Sequence, residues 1–325
     1  MKIVVVGGGG FIGRRLLEIL REAGEFELVS VSRRASALPP GVEFRQADVL
    51  DLPALANAVC DADWVVNCVA GDAKSIGLGA ESLTAALLSS PCRQLVHLSS
   101  MAVYGARRGA VDERADLSGG GWYAAAKLQA EEYVRRFTFN GGGAVIFRPG
   151  CVYGPGGQLW VGRIARLLRQ RRLGDLGEYG DGWTNLVFVD DVCRAVLNVM
   201  QAERAAGDLA VYNLTAADSP RWNRYFTDLA LALGATPLRR LGRRQLALDA
   251  YALSPALQLS RLAARRLGLR DTAWEPLPPG LLRFFGQEMI VDSGLARRDL
   301  GWAVTPYALG LARSVEWFLE QKPEV

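Results

Sequence analysis

The chain places Tyr123 and Lys127 four residues apart, with Ser99 and Ser100 upstream of them. On a helix, that spacing puts a phenol and an ammonium on one face. For a phenol to trade protons near neutrality its pKa must fall from about 10 to about 7, which takes about 4 kcal/mol. An ammonium ~5.5 Å away at an effective dielectric of ~20 supplies about 3 kcal/mol of that. Tyr123 and Lys127 therefore form a general acid/base that needs no histidine, and the Ser100 hydroxyl can polarise a carbonyl or alcohol oxygen. The Y-x-x-x-K pattern is short enough to recur by chance, so its weight comes from its surroundings. His97 is the single histidine and lies in the apolar run Gln94–Leu98, where a structural strand residue is expected. Neither a His-based metal site nor a Ser-His-Asp triad has its material here. Five cysteines (Cys60, Cys68, Cys92, Cys151, Cys193) are odd in number and form no C-x-x-C pair, so no disulfide framework, zinc knuckle or other metal site is expected.

A second constellation lies near the start. Gly7, Gly10 and Gly13 form G-x-x-G-x-x-G between the apolar run Lys2–Val6 and a helical pattern that begins at Phe11. Missing side chains let backbone approach a pyrophosphate, whose charge is met by N–H groups at the helix N-terminus. A second strand then ends at Val31-Ser32-Arg33-Arg34, where an NAD site usually carries Asp or Glu for the adenosine ribose. A hydroxyl and two guanidiniums suit a 2′-phosphate instead, so NADP(H) is expected over NAD(H). Arg14, just past the last glycine, is a further candidate for that phosphate. With a nicotinamide bound, Lys127 is expected to hold its ribose, and the oxidised ring would lower the phenol further.

The elements that must position these groups follow from periodicity. Strands are expected at 2–6, 26–32, 42–47, 63–68, 94–99 and 144–148, with helices near 11–20, 51–60, 80–90 and 122–138 between most of them. Alternation of this kind predicts an α/β fold, a doubly wound parallel sheet of the Rossmann type. Beyond Pro149 the rhythm breaks into Gly/Pro-rich loop and an Arg-rich helix at about 159–172. Asn185–Val192 then leads into a helix to about 203. From 216 to 325 the pattern is mostly helical. The expected division is a dinucleotide-binding domain of residues 1–155 and 184–215, with a smaller substrate lobe of 156–183 and 216–325.

In their order along the chain, these motifs resemble the extended short-chain dehydrogenases/reductases, the group that includes sugar-nucleotide epimerases and dehydratases, 3β-hydroxysteroid dehydrogenases and dihydroflavonol reductases. Val5-Val-Gly-Gly-Gly-Gly-Phe-Ile-Gly13 is similar to the nucleotide loop, with Val6 where the family usually has Thr. The resemblance implies cofactor contacts from Phe11 and Ile12, from Asp48 and Val49 in Ala47–Asp51, and from Val69 and Ala70 in Val65–Ala70, the stretch that matches the strand beneath the cofactor. It implies further contacts from Pro149 and Val152 in Arg148–Pro155. Sugar-nucleotide members often carry Asn at the position of Cys151 and an Arg just before the stretch Val187–Val192. Here Cys151 and Trp183-Thr-Asn-Leu186 stand instead. The tail Val291–Trp302 resembles the reductase and hydroxysteroid branch, and Trp160, Trp183, Trp222 and Trp274 suit a less polar substrate. The expected activity is an NADP(H)-dependent interconversion of a ketone and a secondary alcohol. A sugar-nucleotide epimerase, dehydratase or reductase is the rival, and a non-catalytic nucleotide-binding sensor or assembly factor the reading from another class; retention of Ser100, Tyr123 and Lys127 weighs against the last.

Composition sets outer bounds. The 325 residues are 50% hydrophobic and 22% charged, as in an ordinary globular protein. Basic residues exceed acidic ones by four, 38 against 34, so no nucleic-acid partner is required. Arginines cluster at 163–172, 239–244 and 261–266. Solvated helix faces are the plain reading, and an anionic substrate or carrier the sharper one. No apolar run approaches the ~18 residues of a membrane span, and no signal peptide is recognisable. The expected setting is a reducing cytoplasm, with a small-molecule substrate as partner, a homodimer allowed, and neither nucleic acid nor membrane bound.

Overall fold

The computed structural model describes residues 1–24, 26–35, 37–201, 204–266 and 274–321, the side chains of 262 and 265 excepted; Arg265 of the third arginine cluster therefore lies outside the described side chains. Short runs of β-branched and other apolar residues form a seven-stranded sheet: β1 (Lys2–Val6), β2 (Glu27–Ser32), β3 (Glu43–Gln46), β4 (Trp64–Asn67), β5 (Gln94–Leu98), β7 (Gly143–Pro149) and β10 (Leu209–Leu214). All neighbours are parallel, in the order β10-β7-β5-β4-β1-β2-β3. β1 and β7 are buried almost throughout, as expected of a sheet covered on both faces. This is the doubly wound order, and its direction reverses between β1 and β4, where a crevice opens beyond the strands' carboxyl ends.

One face is covered by α1 (Phe11–Ala23) and α6 (Val189–Val199), which bury Leu16, Leu17, Leu20, Val192 and Val196 against β1, β4 and β7. On the other, α2 (Leu52–Val59), α3 (Ala73–Leu88) and α4 (Gly121–Phe139) close over the sheet through Leu55, Leu83, Leu87, Val134 and Phe137. α3 begins well before the expected residue 80. Asp72 caps it, its Oδ1 accepting the Ser75 N–H at 2.8 Å. Two glycines dilute the helical pattern there for a packing reason. A Cβ on Gly77 would lie 2.2 Å from Gln129 Oε1 of α4, and one on Gly79 would lie 2.8 Å from Val49.

Two short parallel pairs lie outside the main sheet: β6 (Gly109–Val111) with β11 (Met289–Val291), and β8 (Cys151–Tyr153) with β9 (Leu186–Phe188). Around them a separate core gathers Trp222, Tyr225, Phe226, Leu277 and Phe285 with residues of α5 (Arg163–Arg169), α7 (Trp222–Ala232) and α10 (Pro279–Phe285). The expected helix at 159–172 is shorter, since a π-turn at Gln158–Gly162 precedes α5. The remaining helices are α8 (Arg243–Leu248), α9 (Ser254–Arg266), α11 (Gly294–Leu300) and α12 (Tyr307–Glu320). Ala296 of α11 and Trp302 return to the sheet and pack beside α6. There Trp302 Nε1 donates to the Asp191 carbonyl, and Thr305 donates its N–H and hydroxyl to the buried Asp191 carboxylate. Among the described residues no helix is long and apolar enough to cross a membrane.

Candidate active site

The turn from β1 into α1 is held by close backbone approach. Gly7 has φ +84°, and its N–H donates to the Val31 carbonyl at 2.8 Å. A Cβ on Gly13 would lie 2.4 Å from Gly7 O, whereas one on Gly10 would lie 3.2 Å away, so Gly13 is the more constrained. Gly8, absent from the expected set, is equally tight: its Cβ would meet Ser30 Oγ at 2.3 Å. These positions leave a groove of about 310 Å³ over the sheet's crevice. Gly7, Gly10, Phe11, Ile12, Ser32, Arg33, Val49, Val69 and Ala70 line it, and all were expected there. Val31, Ala47, Cys68 and Ser75 line it too, although the sequence reading gave none of them a cofactor contact. The signal for Val31, Ala47 and Cys68 was position at strand ends, whereas Ser75 lies in the first turn of α3. Burial pushes the Cys68 thiol up to about 12, so it stays protonated.

At the groove's far end Ser32 Oγ donates to the Arg34 carbonyl at 2.8 Å, and Gln46 Nε2 donates to the Arg33 carbonyl at 3.1 Å. The held loop brings Arg33 into the lining, while Arg34 is exposed and outside it. Arg14 is turned to Glu18, 3.5 Å away. Asp48 also lies outside the lining, its Oδ1 accepting the Leu50 N–H. Asp72 is an unexpected neighbour. The Ser75 N–H holds its carboxyl below the usual range, and the charge of Arg33 adds to the effect.

Beyond the other end, Ser100 follows β5 and caps a tight turn by accepting the Ala102 N–H. α4 carries Tyr123 into the neighbourhood of Ser100, whose hydroxyl acts to lower the pKa of the phenol. One turn on, Lys127 is 3% exposed and donates to the carbonyls of Leu98 at 2.6 Å and Val69 at 3.4 Å. Burial pushes its ammonium down to about 8, opposed by Cys68 and Glu131. The phenol is pushed up by burial, with the Ser100 hydroxyl working against that. The fall toward neutrality expected from Lys127 is thus not produced by the protein's own groups, because the ammonium is committed to backbone carbonyls. Behind it, Asn67 accepts the Val69 N–H at 3.0 Å and reaches His97 Nδ1 at 3.1 Å. His97 is buried on β5, and burial lowers its pKa well below the ordinary value, so it is a neutral structural residue as expected.

Sequence reading missed what lies under this face. Arg148 at the end of β7 donates Nε and Nη2 to Glu131 at 2.9 and 2.7 Å, and Ser99 Oγ donates to the same carboxylate at 2.6 Å. Arg148 Nη1 donates to Tyr104, whose hydroxyl donates to Asn213 Oδ1. Glu131 stands four residues past Lys127 on α4, the one signal that could have found it.

Pro149 and Val152, expected to contact the cofactor, lie outside the groove's lining, and Cys151 between them in the chain is buried near enough to Tyr123 to add to the rise of its pKa. A Cβ on Gly150 would lie 2.0 Å from Asn185 O, so β8 leaves β7 through a glycine. Asn185 spends its amide on β11, donating to the Met289 carbonyl and accepting the Val291 N–H. Above these strands Trp160, Trp222, Phe284 and Phe285 form an aromatic cluster with centroids 4.8–5.8 Å apart. Arg163 and Arg166 are paired with buried Glu275 at 3.1 and 2.9 Å. Arg221 brings its guanidinium over the Trp183 ring, 4.6 Å from the centroid, a cation that the local sequence around Trp183 does not carry.

A glycine-cradled groove at the switch point of a doubly wound sheet, leading to a Ser, Tyr and Lys set, defines an NAD(P)-dependent enzyme of the extended short-chain dehydrogenase/reductase type. The chain belongs to the NAD dependent epimerase/dehydratase family, whose model matches residues 3–215. It is 26% identical to the 2-alkyl-3-oxoalkanoate reductase of Stenotrophomonas maltophilia over 93% of this chain and 94% of that protein. It is 23% identical to a 3beta-hydroxysteroid-dehydrogenase/decarboxylase (isoform 2) of Arabidopsis thaliana over 97% of this chain, spanning 61% of that relative's length. Among solved structures, UDP-glucose 4-epimerase of Thermotoga maritima with UDP-glucose superposes with a TM-score of 0.76 at 20% identity, covering 98% of this chain and 99% of that one.

Proposed function

We propose that the protein is an NADP(H)-dependent oxidoreductase that interconverts a ketone and a secondary alcohol on a small or carrier-linked substrate. The observation that carries this reading is the proximity of Tyr123 and Ser100, with Lys127 one turn on, beside a groove whose far end presents Arg33 in place of a ribose-binding carboxylate. The Cβ-intolerant glycines at 7, 8 and 13 are the cradle a pyrophosphate needs, and Arg33 and Ser32 would hold a 2′-phosphate. When bound, the nicotinamide supplies a hydride donor or acceptor. The protein's part is proton handling: Ser100 orients the substrate oxygen, and Tyr123 gives that oxygen its proton in reduction or takes it in oxidation. Lys127, buried with its ammonium between the Leu98 and Val69 carbonyls, fixes the floor beneath them. Residues 156–183 and 216–325 form the substrate lobe in this reading, and its aromatic cluster and buried Cys151 favour a weakly polar substrate.

A second reading, a sugar-nucleotide enzyme, is favoured by Arg221, whose half-exposed guanidinium lies over Trp183 while also approaching Asp181 at 3.4 Å. Against it, Arg163 and Arg166 are already paired with Glu275. NADPH oxidation measured against a panel of apolar 3-oxoacyl compounds and ketones, with chromatographic product analysis of UDP-glucose and UDP-glucuronic acid alongside because epimerisation consumes no net NADPH, tests the choice. Turnover of the ketones alone supports the proposal. Conversion of the nucleotide sugars alone refutes it.

A further inference from the structure

After α7 the chain runs through Arg239, Arg240, Arg243 and Arg244 into α8, a π-turn at Asp249–Leu253, and α9, a continuous helical arm about 35 Å long. Its inner side is short and well fixed. Leu246, Ala250 and Ser254 are buried at four-residue spacing. Ser254 Oγ accepts the Leu277 N–H at 2.7 Å, and Asp249 holds Arg172, whose Nε is 2.9 Å from Oδ2. The outer side is different in kind. Leu248, Tyr251 and Leu259 are 68%, 69% and 68% exposed, large apolar groups left in water on a fixed scaffold.

Charge on the arm is one-sided. Residues 239–266 contain seven arginines and one acid, Asp249, which is already engaged with Arg172. Arg239, Arg240, Arg243 and Arg244 are exposed at the arm's N-terminal end, and of these Arg240 makes a 3.9 Å approach to Asp175. Guanidiniums beside protruding leucines and a tyrosine match a surface that is anionic above and apolar below. A nucleic acid would meet the arginines but gain nothing from Leu248 and Leu259.

We propose that the 239–266 arm docks on the surface of an anionic lipid bilayer, Arg239, Arg240, Arg243 and Arg244 among the headgroups and Leu248, Tyr251 and Leu259 at the acyl boundary. The expectation of no membrane partner came from the absence of a spanning segment, which bears on crossing a bilayer and not on lying against one. This inference stands independently of the reaction catalysed.

The test is flotation of the full chain with phosphatidylcholine vesicles and with vesicles containing phosphatidylglycerol. Binding to the phosphatidylglycerol vesicles, weakened by salt, is expected, at least about tenfold stronger than to phosphatidylcholine alone. Reversing two charges in Arg243→Glu with Arg244→Glu should weaken it by about 25-fold or more, at about fivefold for each positive charge removed. Replacing Leu248, Tyr251 and Leu259 together by Ser should weaken it at least about tenfold. Because all five side chains are exposed, melting temperature and NADPH affinity should stay as in the wild type. Failure to float with phosphatidylglycerol at low salt overturns the proposal. So does loss in the charge variant with none in the serine variant, the result expected if the arm serves an acidic protein or a nucleic acid.

Discussion

Replacing Lys127 by Met should make stability respond differently to pH. In the folded chain the ammonium is 3% exposed and burial pushes its pKa down to about 8, against an ordinary 10.5 in the unfolded chain. That gap corresponds to about 3 kcal/mol. Between the two values the unfolded chain binds more protons than the folded one, so wild-type stability gains as pH rises through this window. The gain is complete above 10.5 and lost as pH falls through about 8. A Met side chain carries no such dependence, although it leaves the Leu98 carbonyl without its 2.6 Å donor at every pH. Subtracting the variant's urea-unfolding free energy from the wild type's at a series of pH values cancels that constant loss together with all other titrations. The difference should grow by about 2–3 kcal/mol in favour of the wild type from pH 7 to pH 10. A difference that stays flat would mean that Lys127 titrates as an ordinary surface lysine, and the buried floor beneath Ser100 would have to be redrawn.

Tyr123→Phe should lower turnover by about 10²–10⁴-fold while leaving NADPH affinity within about twofold, read by steady-state rates and nucleotide fluorescence; a Phe variant with wild-type turnover contradicts the proton-transfer role. Arg33→Ala should weaken NADPH binding by about 10–100-fold and NADH binding hardly at all, since one charge-assisted bond to phosphate contributes about 1.5–3 kcal/mol. Arg34→Ala, outside the groove, should do neither, and equal effects from the two would show that the loop and not the lining side chain sets the preference. Glu131→Gln should cost about 3–5 kcal/mol in unfolding free energy by leaving Arg148 buried without its carboxylate, and a cost below about 1 kcal/mol would remove that pair from the list of structural supports.

The glycine turn, the sheet and the Ser, Tyr and Lys set could be read from the sequence because each depends on neighbours in the chain. β2, expected at 26–32, is found at Glu27–Ser32, and α4, expected at 122–138, at Gly121–Phe139. What escaped depends on groups distant in sequence. Gly77 and Gly79 weaken the helical pattern of α3 because Gln129 and Val49 press against them. The pairs β6 with β11 and β8 with β9 are three residues long, too short to show alternation, and join stretches far apart in the chain. At the site, i, i+4 spacing placed Lys127 beneath Tyr123 on one face but said nothing of the carbonyls toward which its ammonium turns. The Arg148–Glu131 pair was hidden for a related reason, since a charged residue within an apolar strand declares a partner without naming it.

The last strand of the main sheet ends at Leu214, yet the Asp191 carboxylate, met at 2.7 Å by Arg194 of its own helix, takes two further hydrogen bonds from Thr305. Closing this part of the nucleotide-binding half therefore draws on the segment from Trp302 to Thr305, far beyond that strand in the sequence. Asp190, the neighbour of Asp191, holds Arg15 of α1 at 2.6 Å, so the tail is two contacts away from the helix that follows the glycine turn. These contacts are long-range in sequence, the kind whose formation must first meet the entropy of closing a long loop. Truncations that reach Thr305 should be felt first at the opposite terminus, as a loosened α1.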